Sequence, residues 1–499
     1  MKSVLQYLFD SVQRFPNKKA VIDENKSMTY AEFFERITCI GNAISDKVDI
    51  GYPVGVFMEK SADTLCAFMG IVYAGGCYSN LNPDLPKNRL EQIDSVLSPE
   101  FIITNQALAD QAEKIFSHRN IVLIEDLVGG TFEWNPTTII DTDPLYINFT
   151  SGSTGVPKGI VVNHRSVIDF IDCFTKTFGI SECDVIANQA PFDFDVSVKD
   201  IYSALKVGAT LVVVPKSCFS VPVKLVDFLC EHKVTTMIWA VSALCLLSTF
   251  HAFDYKTPET LKKILFSGEV MPYKHLKSLR NSLPDAMFVN LYGPTEITCN
   301  CTYHILQSDR DYVDGIPIGK PFDNEDVFLV DENDTAIDGI DSIGEICVRG
   351  TALALGYYMS DEQTRKSFVQ NPLNKRYPEL IYRTGDLGKF DESGELVFCG
   401  RKDFQIKHLG HRIELEEIER AIGLIDGVER CCCLFDEKRS RLKGFYVGEI
   451  EKTDLFALLK EKLPVFMIPG TLNKIDDMPL TKNGKVDRKL LATLIGGSI

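Results

Sequence analysis

The sequence predicts an α/β fold class in two parts: a large N-terminal domain of α/β subdomains plus a β subdomain over residues 1–401, and a small α+β C-terminal domain over 402–499. Three observations predict it. The 499 residues exceed one ordinary domain. Short apolar runs before residue 300 ("GYPVGVFM", "FIIT", "NIVLI", "ATLVVVP", "TTMIWA") alternate with helix-like segments, the pattern of mostly parallel sheets covered by helices. Beyond it, "DVFLVD", "GEICVRG" and "GELVFCG" are β-type runs separated by Gly and Asp turns, as in antiparallel sheets.

The first segment, "MKSVLQYLFDSVQRF", sets Val4, Leu5, Leu8, Val12 and Phe15 at helical spacing. Asp10 and Arg14 interrupt any continuous apolar run, so a docked amphipathic helix is expected rather than a signal peptide. The most apolar interior window, "MIWAVSALCLL", falls short of the roughly 20 residues that span a bilayer. Together these predict a cytoplasmic protein that does not engage membranes. After "GRKDFQIKHLGHR", the segment "IELEEIERAI" is expected to form an amphipathic helix with its acidic residues exposed, and "VERCCCLF" and "LKGFYVG" to form strands.

A formal net charge of −16 argues against broad nucleic-acid binding and leaves a local basic pocket for a small anion. The 15 cysteines are scattered through apolar runs without paired CxxC units, so buried reduced thiols are expected rather than zinc sites or disulfides.

"TSGSTGVPKGI" (150–160) follows the strand-like "LYINF". A Walker A loop needs G-x-x-x-x-G-K-[ST] opening a helix, whereas here Gly152, Gly155 and Lys158 are differently spaced and "GIVV" continues as a strand. Glycines still admit phosphate oxygens to the backbone, Thr150, Ser151, Ser153 and Thr154 carry hydroxyl donors, and Lys158 is a point charge.

This loop resembles the signature of the adenylate-forming enzymes. "NLYGPTE" (290–296), "YRTGDLG" (382–388), "GRKDFQIKHLGHRIELEEIE" (400–419) and "LTKNGKVDRK" (480–489) resemble that family's further motifs in order, over nearly the whole chain. The resemblance is closest to amino-acid-activating members: adenylation domains of nonribosomal peptide synthetases and stand-alone D-alanine:D-alanyl carrier protein ligases. It implies ATP and Mg2+ as cofactors, and an amino acid and a phosphopantetheinylated carrier protein as partners. The C-terminal domain would be a mobile lid turning about a hinge at Asp403.

The resemblance assigns the nucleotide to Thr150, Ser151, Gly152, Ser153, Thr154, Gly155, Lys158, Asn290, Tyr292, Gly293, Thr295, Asp386, Arg401 and Lys485. Tyr292 offers a ring face to a purine, Asn290 a bond to its edge, and Asp386 an acceptor for the ribose hydroxyls, with Arg401 beside it. Glu296 is a hard oxygen ligand suited to Mg2+. Lys485 would bridge the substrate carboxylate and the α-phosphate, with Glu296 and Thr154 completing the catalytic set. On their own residues, these motifs also read as a tyrosine-bearing turn, a Gly-Asp turn, a charged linker and a solvated turn.

"APFDFDVSVKDIY" (190–202) resembles the segment whose aspartate binds the α-amino group, here Asp195. By the same resemblance the pocket draws on Phe194, Val196, Lys199, Ile238, Leu265, Ser267, Gly268, Leu291, Cys299 and Asn300. A buried carboxylate is costly beside an apolar substrate, which argues against an acyl- or aryl-coenzyme A synthetase. Lys199 and Ser267 depart from the D-alanine ligases, where an uncharged residue and a cysteine are expected. Lys199, four residues after Asp195, either neutralises it within a helix or joins Ser267 and Asn300 in receiving a polar or acidic side chain. The chain stops before any carrier sequence, so the carrier is expected to be a separate protein.

Overall fold

A computed structural model describes residues 2–128, 136–152, 155–437, 439–480 and 486–493. It divides into two compact units: 1–82, 97–148 and 159–402 form the first, and 83–96, 149–158 and 403–499 the second.

The first unit is built on two mainly parallel sheets. In the larger, six parallel strands run in the order Met287–Tyr292, Lys263–Ser267, Thr236–Ala240, Val185–Asn188, Thr210–Val213, Lys19–Ile22, with antiparallel strands at both edges. Side chains alternate across the central strands. Ile238 lies in register with Leu265, and Leu265 with Val289. These three join one core with Leu291, while Met237, Trp239, Ile264 and Phe266 join another. Such runs are apolar on both faces because both faces are covered.

The second sheet holds the parallel strands Pro53–Phe57, Cys77–Asn80, Phe101–Thr104, Asn120–Leu123 and Pro144–Thr150, with Lys158–Asn163 beyond. A six-stranded sheet, antiparallel throughout, covers residues 325–401 and is the expected β subdomain. The N-terminal segment is a helix, Leu5–Arg14. Its Val4, Leu5 and Leu8 are buried, and the Ser11 hydroxyl donates to the Leu205 carbonyl at 2.6 Å. Among the described residues no helix is long and apolar enough to cross a membrane. All fifteen cysteines are free thiols; Cys183 and Cys399 are exposed, and the rest are buried or half-buried.

In the second unit, the strands Val428–Asp436 and Arg441–Gly448 pair antiparallel, and Thr471–Lys474 adds in parallel. The helices Leu415–Gly423 and Lys452–Lys462 pack on them through Ile418, Ile422, Leu455 and Leu459. The expectation of an exposed acidic face on the first of these helices is corrected: Glu417 is buried. One of its oxygens accepts from Arg89 Nη1 at 2.5 Å, the other from the Gly152 N–H at 3.2 Å. Glu419 accepts from the Cys433 N–H and from Arg488. A buried carboxylate needs such partners, and sequence periodicity does not display partners distant in the chain.

Candidate active site

Two groups of side chains assemble in the first unit near the ends of the parallel strands. The first surrounds Asp386. The long strand Leu380–Phe390 sets Asp386 in register with Arg401 on Leu396–Arg401, and Arg401 donates to the carboxylate. Tyr292, the last residue of its strand, donates to the other carboxylate oxygen at 2.5 Å. Each oxygen has two lone pairs, so both retain capacity for a further donor. Burial and the neighbouring carboxylate push the Tyr292 phenol well above its ordinary range, keeping it a donor. Asn290 Nδ2 donates to the Pro317 carbonyl at 2.9 Å, which commits part of the amide assigned to a purine edge. Gly293 follows Tyr292 where a Cβ would lie 2.5 Å from Asn300 Cα and 2.8 Å from the Cys299 carbonyl oxygen, so only glycine lets the two backbone segments meet.

After Thr295, Glu296 sits buried in a short helical turn, and its carboxylate accepts from the Tyr357 hydroxyl at 2.7 Å. Tyr357 was not singled out by the sequence; its strand Gly356–Tyr357 lies far along the chain from Glu296. Two non-glycine residues then adopt left-handed backbone, Thr298 at φ 53° and Cys299 at φ 81°. That conformation is unfavourable for a β-branched residue and persists only where surroundings impose it. Here the Thr298 hydroxyl donates to the Ala352 carbonyl at 2.7 Å, and Cys299 Sγ to the Asp195 carbonyl at 2.6 Å.

The second group is the expected amino-acid pocket. Asp195 precedes the Val196–Val207 helix, and Phe194 and Val196 flank it, half-buried. Lys199, one turn on, is fully buried. Its Nζ donates to Asn300 Oδ1 at 2.7 Å and to Ser267 Oγ at 3.3 Å. The structure therefore brings together the three polar residues that the sequence had grouped. Burial lowers the Lys199 pKa, while the charges of Cys299, Asp195 and Asp200 work the other way. Ile238, Leu265 and Leu291 lie on neighbouring strands and share one core with Val198 and Ile201 of this helix, and Gly268, at φ 96°, has open space where a Cβ would stand.

The other described residues of the candidate site lie in the second unit. Ser151 Oγ donates to the Arg412 carbonyl at 2.6 Å, Gly152 to Glu417, and Gly155 takes φ 78°. Thr150 ends one strand and Lys158 begins the next. A Cβ on Gly152 would fall 2.1 Å from the Val156 carbonyl oxygen. Asp403 accepts from the Gln405 N–H at 3.2 Å. Ser153, Thr154 and Lys485 lie outside the described residues.

A single buried carboxylate such as Glu296 suits Mg2+, which is usually held by one or two carboxylates together with substrate phosphates. Among the described residues no cluster of three or more His, Cys, Asp or Glu comes together.

Residues 8–358 match the protein family described as AMP-binding enzyme. The chain is 32% identical over 526 residues to Zwittermicin A synthase ZmaJ of Bacillus cereus, covering 100% of this chain and 98% of that protein. It is 31% identical to Tyrocidine synthase 1 of Brevibacillus parabrevis and 32% identical to Bacitracin synthase 1 of Bacillus licheniformis, over 98% of this chain in both cases. It spans 45% of the former and 9% of the latter. Among solved structures, IdnL1 superposes with a TM-score of 0.81 at 25% identity, over 96% of this chain and 99% of that one. Holo-PA1221, described as an NRPS protein containing adenylation and PCP domains, has the same fold at TM-score 0.85 and 24% identity, over 99% of this chain and 84% of that one.

Proposed function

The chain belongs to the AMP-binding enzymes, and we propose that it activates a small, polar or acidic amino acid as an aminoacyl-adenylate and passes it to the phosphopantetheine thiol of a carrier protein. The observation that carries this reading is Lys199. A buried ammonium costs several kcal/mol unless an anion or several acceptors meet it; Lys199 hydrogen-bonds to two neutral oxygens, on Asn300 and Ser267, with the carboxylates of Asp195 and Asp200 acting on it through their charge. A substrate side chain with a carboxylate or amide oxygen completes that set. Asp195, at the start of the same helix, pairs with the α-ammonium. Phe194, Val196, Ile238, Leu265, Gly268, Leu291 and Cys299 supply the walls.

The cycle has two halves. The amino-acid carboxylate oxygen bonds to the α-phosphorus of ATP, and the bond to the departing pyrophosphate breaks. The carrier thiol sulfur then bonds to the acyl carbon, AMP leaves, and the thiol proton is lost. This chain supplies position and charge: Tyr292, Gly293 and Asn290 receive the base, Asp386 and Arg401 the ribose, and Thr295 lies beside Glu296. Thr150, Ser151, Gly152, Ser153, Thr154, Gly155 and Lys158 receive the phosphates. Glu296 would hold Mg2+, which would supply neutralising charge for the phosphates. Lys485 stabilises charge on the α-phosphate in the first half-reaction, and Asp403 is the hinge for its withdrawal.

The test is ATP–pyrophosphate exchange with D-alanine, serine, aspartate, asparagine and glutamate, followed by transfer to a purified carrier protein or to coenzyme A. The expected result is exchange with a polar or acidic amino acid and transfer to the carrier. Exchange with simple acids alone overturns the role of Asp195, and preference for D-alanine overturns that of Lys199.

A further inference from the structure

Beneath the amino-acid pocket lies a second buried polar group that the proposed reaction does not use. Asp200, next to Lys199 on the Val196–Val207 helix, is fully buried, and one of its oxygens accepts from Asn188 Nδ2 at 2.7 Å. Asn188 ends the central strand Val185–Asn188 and is itself fully buried. Lys60, between the strand Pro53–Phe57 and the helix Ala62–Tyr73, donates to the carbonyls of Asn188 at 3.2 Å and Gln189 at 3.0 Å. These two carbonyls immediately precede the segment that delivers Phe194 and Asp195.

Successive helical residues point about 100° apart, so adjacent Lys199 and Asp200 grip different partners. Lys199 ties the helix to Ser267 and Asn300, and Asp200 ties it to the end of the neighbouring strand. Two anchors on one turn fix its rotation as well as its position. Burial drives the Asp200 carboxyl up to about 7 and the Lys60 ammonium down to about 8. Such a group is expensive to bury for packing alone. Among the described residues, Asp200 Oδ1, Asn188 Oδ1 and Ser203 Oγ, one turn further on, have no hydrogen-bond partner within the protein.

We propose that Asp200, held by Asn188 and backed by Lys60, is a positioning residue for the amino-acid site: it fixes the rotation of the helix that carries Asp195 and Lys199, and so sets the affinity for amino acid but not for ATP. This rests on the amino-acid-activating reading above. Wild-type exchange with the amino-acid panel therefore comes first, and no exchange with any amino acid overturns both. Given exchange, Asp200→Ala should raise the KM for amino acid about 10-fold or more while the KM for ATP stays within about 2-fold. Asp200→Asn keeps an oxygen to accept from Asn188 and should restore the amino-acid KM at pH 7. Asn188→Ala, approached from the strand, should match Asp200→Ala, and the double variant should be no worse than either single, the mark of two groups acting as one. Equal rises in both KM values, additive effects, or failure of Asp200→Asn to rescue overturn the proposal. If Asp200→Ala does not fold, the comparison of Asp200→Asn with Asn188→Ala decides the matter.

Discussion

Lys199 Nζ donates to Asn300 Oδ1 at 2.7 Å, joining a buried helix residue to a turn 101 positions further along the chain. The pair places the Lys199 side chain in the wall of the proposed amino-acid pocket, one helical turn from Asp195. Replacing it in Lys199→Met keeps the length and removes the charge. The KM for the preferred polar or acidic amino acid should rise on the order of 30-fold or more, the loss expected when one member of a buried charged contact is removed. Selection should shift toward apolar amino acids in the exchange assay. An unchanged preference would reduce Lys199 to a counter-ion of Asp195.

Tyr292 and Arg401 hold the two oxygens of Asp386. Tyr292→Phe removes one donor from a buried carboxylate and should raise the KM for ATP about 10-fold, with the amino-acid KM nearly unchanged. Asp386→Ala should be more severe, since it removes the acceptor of both Tyr292 and Arg401. Isothermal titration with ATP measures both effects independently of turnover.

Glu296 accepts from Tyr357. Glu296→Gln preserves an oxygen for the tyrosine and removes the charge, so the Mg2+ concentration for half-maximal exchange should rise about 10-fold or more. Tyr357→Phe should shift it less. If Glu296→Gln leaves the Mg2+ dependence unmoved, the metal is held elsewhere.

Burial pushes the Asp200 carboxyl from its ordinary 3.8 up to about 7, with Asn188, Lys199 and Lys60 pulling it back down. Between those values the native state holds a proton that the unfolded state has lost, so stability falls as pH rises through that window. Lys60, lowered to about 8, stays protonated there and adds no slope of its own. Urea midpoints at pH 5, 6 and 7 should therefore show Asp200→Asn gaining on the wild type as pH rises. A constant difference across the series would mean that Asp200 is ionised throughout.

Lys485→Ala should lose adenylation by on the order of 100-fold, while thioester formation from a preformed adenylate continues. Equal loss in both half-reactions would sink the division of labour assigned to it.

The candidate site could be named from the chain because its residues come in short ordered runs that resemble a family's motifs. Tyr292, Glu296, Asp386 and Arg401 were singled out because their motifs resemble those of the adenylate-forming enzymes, and the structure brings Tyr292 and Arg401 onto Asp386. Periodicity likewise gave the N-terminal helix and the alternation of strands and helices. The exposed acidic face expected for Leu415–Gly423 failed because amphipathic spacing says which residues can face outward, not whether Arg89 and Gly152 wait to receive one of them. Tyr357 and Asn188 were missed for the same reason: nothing local marks a side chain whose partner lies in another element.

The sequence alone determined the fold class, the motif order and the residue types available to the site, since these depend on local spacing and on burial patterns with a fixed period. Tertiary structure decided which of them meet. It set Lys199 against Asn300 and Ser267 and turned Asp200 to Asn188. It also held Thr298 and Cys299 in left-handed backbone beside Asp195. A hydrogen bond between residues a hundred positions apart has no signature in either local sequence; it exists only once packing has excluded water and brought the partners within reach.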